Sequence, residues 1–274
     1  MGIIGVILRK ILAATRFSES CARAQARAMH LAEKTEADLL LVHAGDADAQ
    51  DQLNDAAKAA GAAAQLKEGD PAKVILETAR GEEAELIVVG APGRRNLREM
   101  LTGTNVEQVI RQSSVPVLMA VNAEVGPYRR VLLTTDFSEA SVLAATSLFR
   151  SGIATGAQVY LCNVFDTPAI RLMTTAGTTT ADIQHYIAEQ QKASADNLKV
   201  VAEQMGLAHS GVLPRLQRGT AAQTICAVAQ EIGAELIVVG TQGHSGIRRF
   251  FLGSVAEEVL RKSPVDVLAV PALA

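Results

Sequence analysis

The chain has 274 residues, of which 49% are hydrophobic and 20% charged, and its formal net charge is −3. This length predicts about two domains with an ample buried core, and the composition excludes a disordered protein. Only 3% of the residues are aromatic and there is no surplus of basic residues, which argues against a dedicated nucleic-acid-binding protein.

The ends and the apolar runs give no sign of membrane targeting. The longest apolar runs, such as residues 117–121, are far shorter than the ~18 residues that cross a bilayer. The N-terminal MGIIGVILRK has no basic region before its short apolar part, which favours the lead-in to a strand over a secretory signal. Cys21, Cys162 and Cys226 show no zinc or disulfide spacing, so we expect a reducing, cytoplasmic setting.

The sequence contains an internal repeat. Residues 11–19, ILAATRFSE, parallel residues 131–139, VLLTTDFSE, and residues 84–90 are identical to residues 234–240, AELIVVG. The second copy carries about 30 extra residues between these landmarks, and a repeat of roughly 130 residues is the size of a domain. Polar residues, Gly and Pro interrupt the apolar pattern near residues 122–128. We therefore predict two domains, residues 1–124 and 125–274.

Strand and helix patterns alternate along both halves. The first half has a short second helix near residues 50–60 and otherwise follows the order of the second half. There the pattern predicts strands at 130–135, 158–165, 211–216, 235–240 and 265–270, and helices after Ser138 and at 182–205, 221–232 and 253–261. This alternation predicts an α/β fold with two similar doubly wound domains, each a five-stranded parallel sheet flanked by helices.

Most of the extra residues of the second half follow its second strand. Residues 166–180, DTPAIRLMTTAGTTT, read as a flexible segment beside the expected ligand pocket. Such a loop fits either a lid or contact surface, or a plain linker to the long helix.

A glycine motif follows the fourth strand of each half, and doubly wound sheets bind ligands at that edge. Gly240, Gly243, Gly253 and Ser254 match G-x2-G-x9-G-[S/T], and so do the four residues Gly90, Gly93, Gly103 and Thr104. Gly240 and Gly243 permit positive φ and close approach of a ligand, and a helix that opens at Gly253 offers N–H groups to a phosphate. The alternative is that these glycines only form turns. The motif is neither a P-loop nor G-x-G-x-x-G.

An acidic residue ends the first strand of the second half. The carboxylate of Asp136 can accept hydrogen bonds from a ribose or a base, or it can cap the following helix, and both interpretations stay open. His244, Arg248 and Arg249 could meet a phosphate or be ordinary surface residues. The first half has Arg16 in place of Asp136, which reverses the charge at the pocket.

The motifs TTDFSE, ELIVVGTQGHSG and Gly253-Ser254 resemble the universal stress protein family in its tandem form, over essentially the whole chain. The resemblance implies that the two domains pair through their last strands and that a further homodimer can form. It also implies that one subfamily binds ATP, either alone or together with Mg²⁺. Residue by residue, it assigns the adenosine side to Thr134, Thr135, Asp136 and Val164. It assigns the phosphate side to Gly240, Gly243, Gly253, Ser254 and Val255.

The first half departs from this pattern through Arg16, Pro92 and the short second helix. We therefore expect the main ATP site in the second domain. The first site is either degenerate or holds a different anion, with Arg16, Gly90, Gly93, Gly103 and Thr104 as its candidate residues.

No nucleophile–base pair or metal-ligand spacing is visible, and we expect core thiols at Cys162 and Cys226 and a more accessible Cys21. The expected function is a stress-response regulatory protein that binds ATP mainly in its C-terminal domain and acts on an unknown protein partner. The alternatives are a nucleotide-independent interaction protein, or a weak ATPase or phosphotransferase.

Overall fold

The structure is a computed structural model of the chain. It describes residues 8–91, 104–122, 126–165, 167, 169–205, 207, 212–242 and 252–272.

The described part of the first half alternates strands with helices. Its strands are β1 (Lys10–Thr15), β2 (Asp38–Ala44), β3 (Ala63–Lys67), β4 (Leu86–Gly90) and β5 (Val117–Ala120). Its helices are α1 (Glu19–Thr35), α2 (Gln50–Ala60), α3 (Pro71–Gly81) and α4 (Asn105–Gln112), with a single 3-10 turn at Ala47–Ala49.

The second half repeats this order with a helical insertion. Its strands are β6 (Arg130–Thr134), β7 (Gln158–Phe165), β8 (Leu213–Arg218), β9 (Leu236–Gly240) and β10 (Asp266–Val270). Its helices are α5 (Glu139–Arg150), α6 (Ala169–Thr175), α7 (Thr180–Gln204), α8 (Ala221–Glu231) and α9 (Ser254–Lys262). The predicted strands and helices all form, with boundaries that move by one or two residues, except that the helix after Ser138, expected to reach Ala154, ends at Arg150.

All ten strands join in one sheet, in the order β3-β2-β1-β4-β5-β10-β9-β6-β7-β8. Neighbouring strands are parallel within each half, and β5 and β10 pair antiparallel, with Leu118 opposite Leu268. The fold class is confirmed, and the last strands of the two halves pair as expected. Because the two half-sheets meet antiparallel, their strands end at opposite edges of the sheet.

Helices cover both faces of the sheet, so the strands are buried on both sides. Successive residues of β4 alternate between two apolar layers: Leu86 and Val88 belong to one core cluster, Ile87 and Val89 to the other. This explains why the strands read as continuous apolar runs.

The extra segment of the second half is helical, which corrects the prediction of a flexible segment. Residues 169–175 form α6, Gly177 turns the chain with φ of 72°, and the hydroxyl of Thr179 accepts a hydrogen bond from the Asp182 N–H at 3.2 Å to begin α7. Asp166 and Pro168 lie outside the described residues. Only Leu198 and Val201 of the 25-residue α7 are buried, so most of this helix is solvent-exposed.

A single carboxylate joins the two halves. Asp266 Oδ2 accepts hydrogen bonds from Arg27 Nε at 3.0 Å and from the Tyr128 hydroxyl at 2.7 Å. Asp266 Oδ1 accepts from the backbone N–H groups of Val121 and Asn122 at 2.7 and 2.8 Å. We call these residues the Asp266 clamp. It ties α1 and the end of β5 to the first residue of β10.

The clamp is almost fully withdrawn from water. The side chains of Arg27 and Asp266 are 3% and 1% exposed, and the Arg27 guanidinium lies 4.3 Å from the centre of the Tyr128 ring. Burial, reinforced by the nearby Asp266 charge, raises the pKa of the Tyr128 phenol well above its usual value. The two buried charges therefore compensate each other, with support from the surrounding hydrogen bonds.

We predict that Asp266→Asn lowers the free energy of unfolding by about 3 kcal/mol, because the Arg27 charge stays buried without its counter-charge. Urea or thermal denaturation followed by circular dichroism measures the change. Glu258→Gln is the matched control, since it breaks the exposed Glu258–Lys262 pair and we expect little effect. Equal losses in the two variants would contradict the role of the clamp.

Candidate functional site

A cavity opens where β6 and β9 end, at the switch point of the second half-sheet. Its volume is about 370 Å³. Its walls include eight of the nine residues assigned to the ATP site from sequence, namely Thr134, Thr135, Asp136, Val164, Gly240, Gly253, Ser254 and Val255. Gly243 lies outside the described residues, as do His244, Arg248 and Arg249. The structure therefore brings residues from four separate segments of the chain to one place.

A tight turn carries Asp136 at the rim of the cavity. Phe137 has φ of 68°, and its N–H donates to the hydroxyl of Thr135 at 3.0 Å. Ser138 is the residue that caps α5, because its hydroxyl accepts a hydrogen bond from the Ser141 N–H at 3.3 Å. Asp136 Oδ1 accepts from the Ser138 N–H at 3.1 Å and from its hydroxyl, so Asp136 positions the capping residue and is not the cap itself.

The hydroxyls of Thr134 and Thr135, which line the cavity, are hydrogen-bonded within the protein. Thr134 donates to the Val238 carbonyl at 2.9 Å, and Thr135 shares a hydrogen bond of 2.9 Å with Ser141. The Thr134 proton is thus used inside the protein. These side chains shape the site, and neither is a free donor to a ligand.

Sequence reasoning missed Asn163, a buried residue that hydrogen-bonds to the backbone of Thr135. The Asn163 side-chain amide donates to the Thr135 carbonyl at 2.8 Å, and its Oδ1 is buried with no hydrogen-bond partner in the described part of the chain. The first half has His43 at the equivalent position, where Nδ1 lies 2.8 Å from the Thr15 carbonyl. A polar residue within the apolar strand QVYLCNVF was the available signal.

Gly240 has a packing role that sequence reasoning did not anticipate. Its φ is not positive, and a Cβ atom there would lie 3.2 Å from the carbonyl carbon and oxygen of Ala140 in α5. The end of β9 therefore packs directly on the first turn of α5. Gly240 therefore does not use the positive φ that glycine permits, and it lies in close contact with the helix backbone.

The N-terminus of α9 faces the cavity without a side-chain cap. Gly253 occupies the capping position, and its own N–H donates to the Thr241 carbonyl at 2.8 Å. In the first half, by contrast, the Thr104 hydroxyl caps α4 by accepting from the Glu107 N–H at 3.3 Å. The first turn of α9 can therefore offer backbone N–H groups and the positive end of the helix dipole to an anion.

Asp136 is the only charged side chain among the described residues that line this cavity. Cys162 also lines it, and burial raises the pKa of the Cys162 thiol to about 12. The thiol is therefore protonated at neutral pH and contributes an apolar wall. No group of three or more His, Cys, Asp or Glu side chains in the described ranges could hold a metal ion.

A second cavity, of about 330 Å³, occupies the equivalent place in the first half. Arg16, Gly90 and Thr104 line it, whereas Gly93, Gly103 and Pro92 lie outside the described residues. A Cβ atom at Gly90 would lie 2.3 Å from the Ser20 carbonyl oxygen of α1. The first half thus keeps the cavity and replaces the acidic residue at its rim with a basic one.

The cysteines differ from expectation in their exposure. Cys21, expected to be the more accessible, is buried, and Cys226, expected in the core, is half-buried. Cys21 lies in the first turn of α1 where that helix faces the sheet. In the described segments, no helix is both long and apolar enough to cross a membrane.

Comparisons with known proteins agree with this architecture. The model of the universal stress protein family matches residues 63–120 and 127–271. A universal stress protein of Methanocaldococcus jannaschii is 31% identical over 144 residues, which are 52% of this chain and 82% of that protein.

Two solved structures cover almost the whole chain. A universal stress protein from Archaeoglobus fulgidus superposes with a TM-score of 0.68 and 24% identity, over 97% of each chain. A protein of unknown function from Pseudomonas aeruginosa gives 0.69 and 20%, over 97% of this chain and 93% of that one. At these identities the likeness shows the fold.

We predict that Gly90→Ala destabilises the protein more than Gly240→Ala. The added methyl group at residue 90 meets backbone at 2.3 Å, whereas at residue 240 it needs a shift of only a few tenths of an ångström from a contact at 3.2 Å. Thermal denaturation of the two variants ranks them. A stable Gly90→Ala variant would show that the contact between β4 and α1 is not rigid.

We also predict that iodoacetamide at about pH 8 modifies Cys226 well before Cys162, because Cys162 is buried and almost entirely protonated. Labelling of Cys162 should increase as the pH rises toward its raised pKa. Peptide mass spectrometry measures the rates, with the protein unfolded in guanidinium chloride as the control in which all cysteines react. Fast labelling of native Cys162 would contradict the burial.

Proposed function

Because the chain belongs to the universal stress protein family, a family of stress-response proteins, we propose that its second half binds ATP and acts through nucleotide-dependent interaction with a protein partner. The observation that carries this proposal is the cavity at the ends of β6 and β9. Residues from four segments, assigned to the site by the glycine motif and by the family resemblance, line that one cavity.

The two ends of the cavity suit the two ends of ATP. Val164, Ile225 and Val239 provide an apolar wall for a base, and Asp136 at the rim can accept hydrogen bonds from ribose hydroxyls. The uncapped first turn of α9 offers N–H groups to the phosphates. Adenosine is therefore proposed to lie toward β6 and β7, with the phosphates against Gly253, Ser254 and Val255.

Mg²⁺ fits this site only as a companion of the nucleotide. The described residues contain no cluster of acidic side chains that would hold a metal ion, and Mg²⁺ readily takes phosphate oxygens and water as ligands. The bound ion would offset phosphate charge, since the described lining has no cationic side chain. Asp136 and the α9 N–H groups would then orient the nucleotide.

The lining supports binding more than catalysis. Cys162 is protonated, and the hydroxyls of Thr134 and Thr135 are hydrogen-bonded to other groups of the protein. Asp136 is committed through Oδ1 to the turn before α5. We therefore propose that ATP is a regulatory ligand whose presence changes the surface around the cavity.

Isothermal titration calorimetry with ATP and Mg²⁺ tests the site. We expect one ATP per chain, and we expect Asp136→Asn to weaken binding about 10-fold, because a neutral amide replaces a charged acceptor. Asparagine keeps an oxygen that can accept from Ser138, so the turn should survive. Glu139→Gln is the control: it removes an exposed carboxylate three residues away that does not line the cavity.

The outcomes separate the parts of the proposal. Unchanged affinity in Asp136→Asn would remove Asp136 from the site, and absence of any ATP binding would refute the proposal. Two ATP molecules per chain would extend nucleotide binding to the first half.

A further inference from the structure

The first-half cavity has the size and lining of a ligand site, and its charged residue is basic whereas that of the second-half cavity is acidic. It lies where β1 and β4 end, and its volume of about 330 Å³ falls in the range of small-molecule sites. Its inner wall is apolar and comprises Val42, Ile75, Val89, Val106 and Val109. An occupant therefore needs an apolar body of modest size.

Two exposed polar side chains lie at the opening of this cavity. Arg16 is exposed and lines the opening, and Asn105 lines it from the start of α4. The equivalent residues of the second half are Asp136 and Val255, a carboxylate and an apolar side chain. A guanidinium and an amide thus replace the groups that suit a ribose, and both can donate hydrogen bonds to an anion.

At the start of α4, a capping side chain takes one of the N–H groups that a phosphate would use. The Thr104 hydroxyl accepts the Glu107 N–H, whereas the equivalent helix α9 has no side-chain cap. Arg16 is the only charged side chain among the described residues that line the first cavity, so it provides the strongest anion contact there. One cation on the rim suits a single negative charge better than a triphosphate.

We propose that the first-half cavity binds a small organic monoanion, with its carboxylate at Arg16 and its apolar body against the valine-rich wall. A planar guanidinium pairs with a carboxylate through two parallel hydrogen bonds, and Asn105 can add a third. Aliphatic and aromatic acids share this chemistry. The protein then carries two ligand sites of opposite rim charge, one on each edge of its sheet.

Isothermal titration calorimetry of the full chain with octanoate and with phenylacetate distinguishes the two sources of carboxylate. We expect one of these acids to bind with a stoichiometry of one, and octanol and phenylethanol, the neutral counterparts, to bind at least ~10-fold more weakly. Arg16→Gln should reduce the affinity for the acid by about 10-fold and leave the affinity for the alcohol unchanged.

Lys73→Gln is the matched control, because it removes one exposed positive charge from the same half without lining the cavity. The proposal is overturned if neither acid binds, or if Arg16→Gln and Lys73→Gln weaken the acid equally. It is also overturned if ATP displaces the acid competitively, since the first cavity would then be a second nucleotide site. Loss of ATP binding in Asp136→Asn concerns only the second-half cavity and leaves this test intact.

Discussion

The burial of one charged carboxylate, Asp266, determines how the two halves of this protein join. Each half ends in an apolar strand, and such a strand left alone would present an unpaired edge to solvent. Pairing β5 with β10 removes both edges, and Asp266 then accepts hydrogen bonds from α1, from the chain after β5 and from Tyr128. A buried ion pair contributes little net stability over apolar packing, but it is costly to break, so it favours one arrangement of the two half-sheets.

The clamp also breaks the symmetry of the repeat. The equivalents of Asp266 and Arg27 in the other half are Pro116 and Ser147, which cannot form an ion pair. Instead, Pro116, Ser147 and Leu268 line a cavity of about 300 Å³ at that place. The joint therefore has a buried ion pair on one side and a cavity at the equivalent place on the other.

Sequence reasoning succeeded where the physical cause is local or periodic. Buried strands read as apolar runs, Ser138 was recognisable as a cap, and strand ends indicated which residues would meet at the cavity. It failed where the cause lies in tertiary contact. The Arg27–Asp266 pair joins residues 239 positions apart, and no local pattern marks it.

Gly240 is a second residue whose main contact could not be predicted from its local sequence. Its pattern of neighbours indicated a ligand turn, and the close contact of this residue with the backbone of α5 was not visible in the sequence. Burial of Cys21 likewise depends on which face of α1 meets the sheet. Features set by neighbours in the chain could thus be predicted from the sequence, whereas features set by contacts between distant residues could not.

Comparison of the two copies of the repeat shows whether the turn at Asp136 needs a carboxylate to form. Phe17 and Phe137 have φ of 59° and 68°, and each N–H donates to the preceding threonine hydroxyl, at 3.1 and 3.0 Å. The turn therefore forms equally with Arg16 or Asp136 between these residues, although arginine has no oxygen to accept from the capping serine. A carboxylate is not needed to build this turn.

The helices that follow are capped alike in both halves, by Ser18 with the Cys21 N–H at 3.4 Å and by Ser138 with the Ser141 N–H at 3.3 Å. Since neither the turn nor the cap requires a particular charge at this position, folding leaves the charge free to vary. What differs between the halves is the chemistry presented at the mouth of an otherwise similar cavity. Arg16 and Asp136 therefore give the two cavity mouths opposite charge without any requirement from the turn or the helix cap.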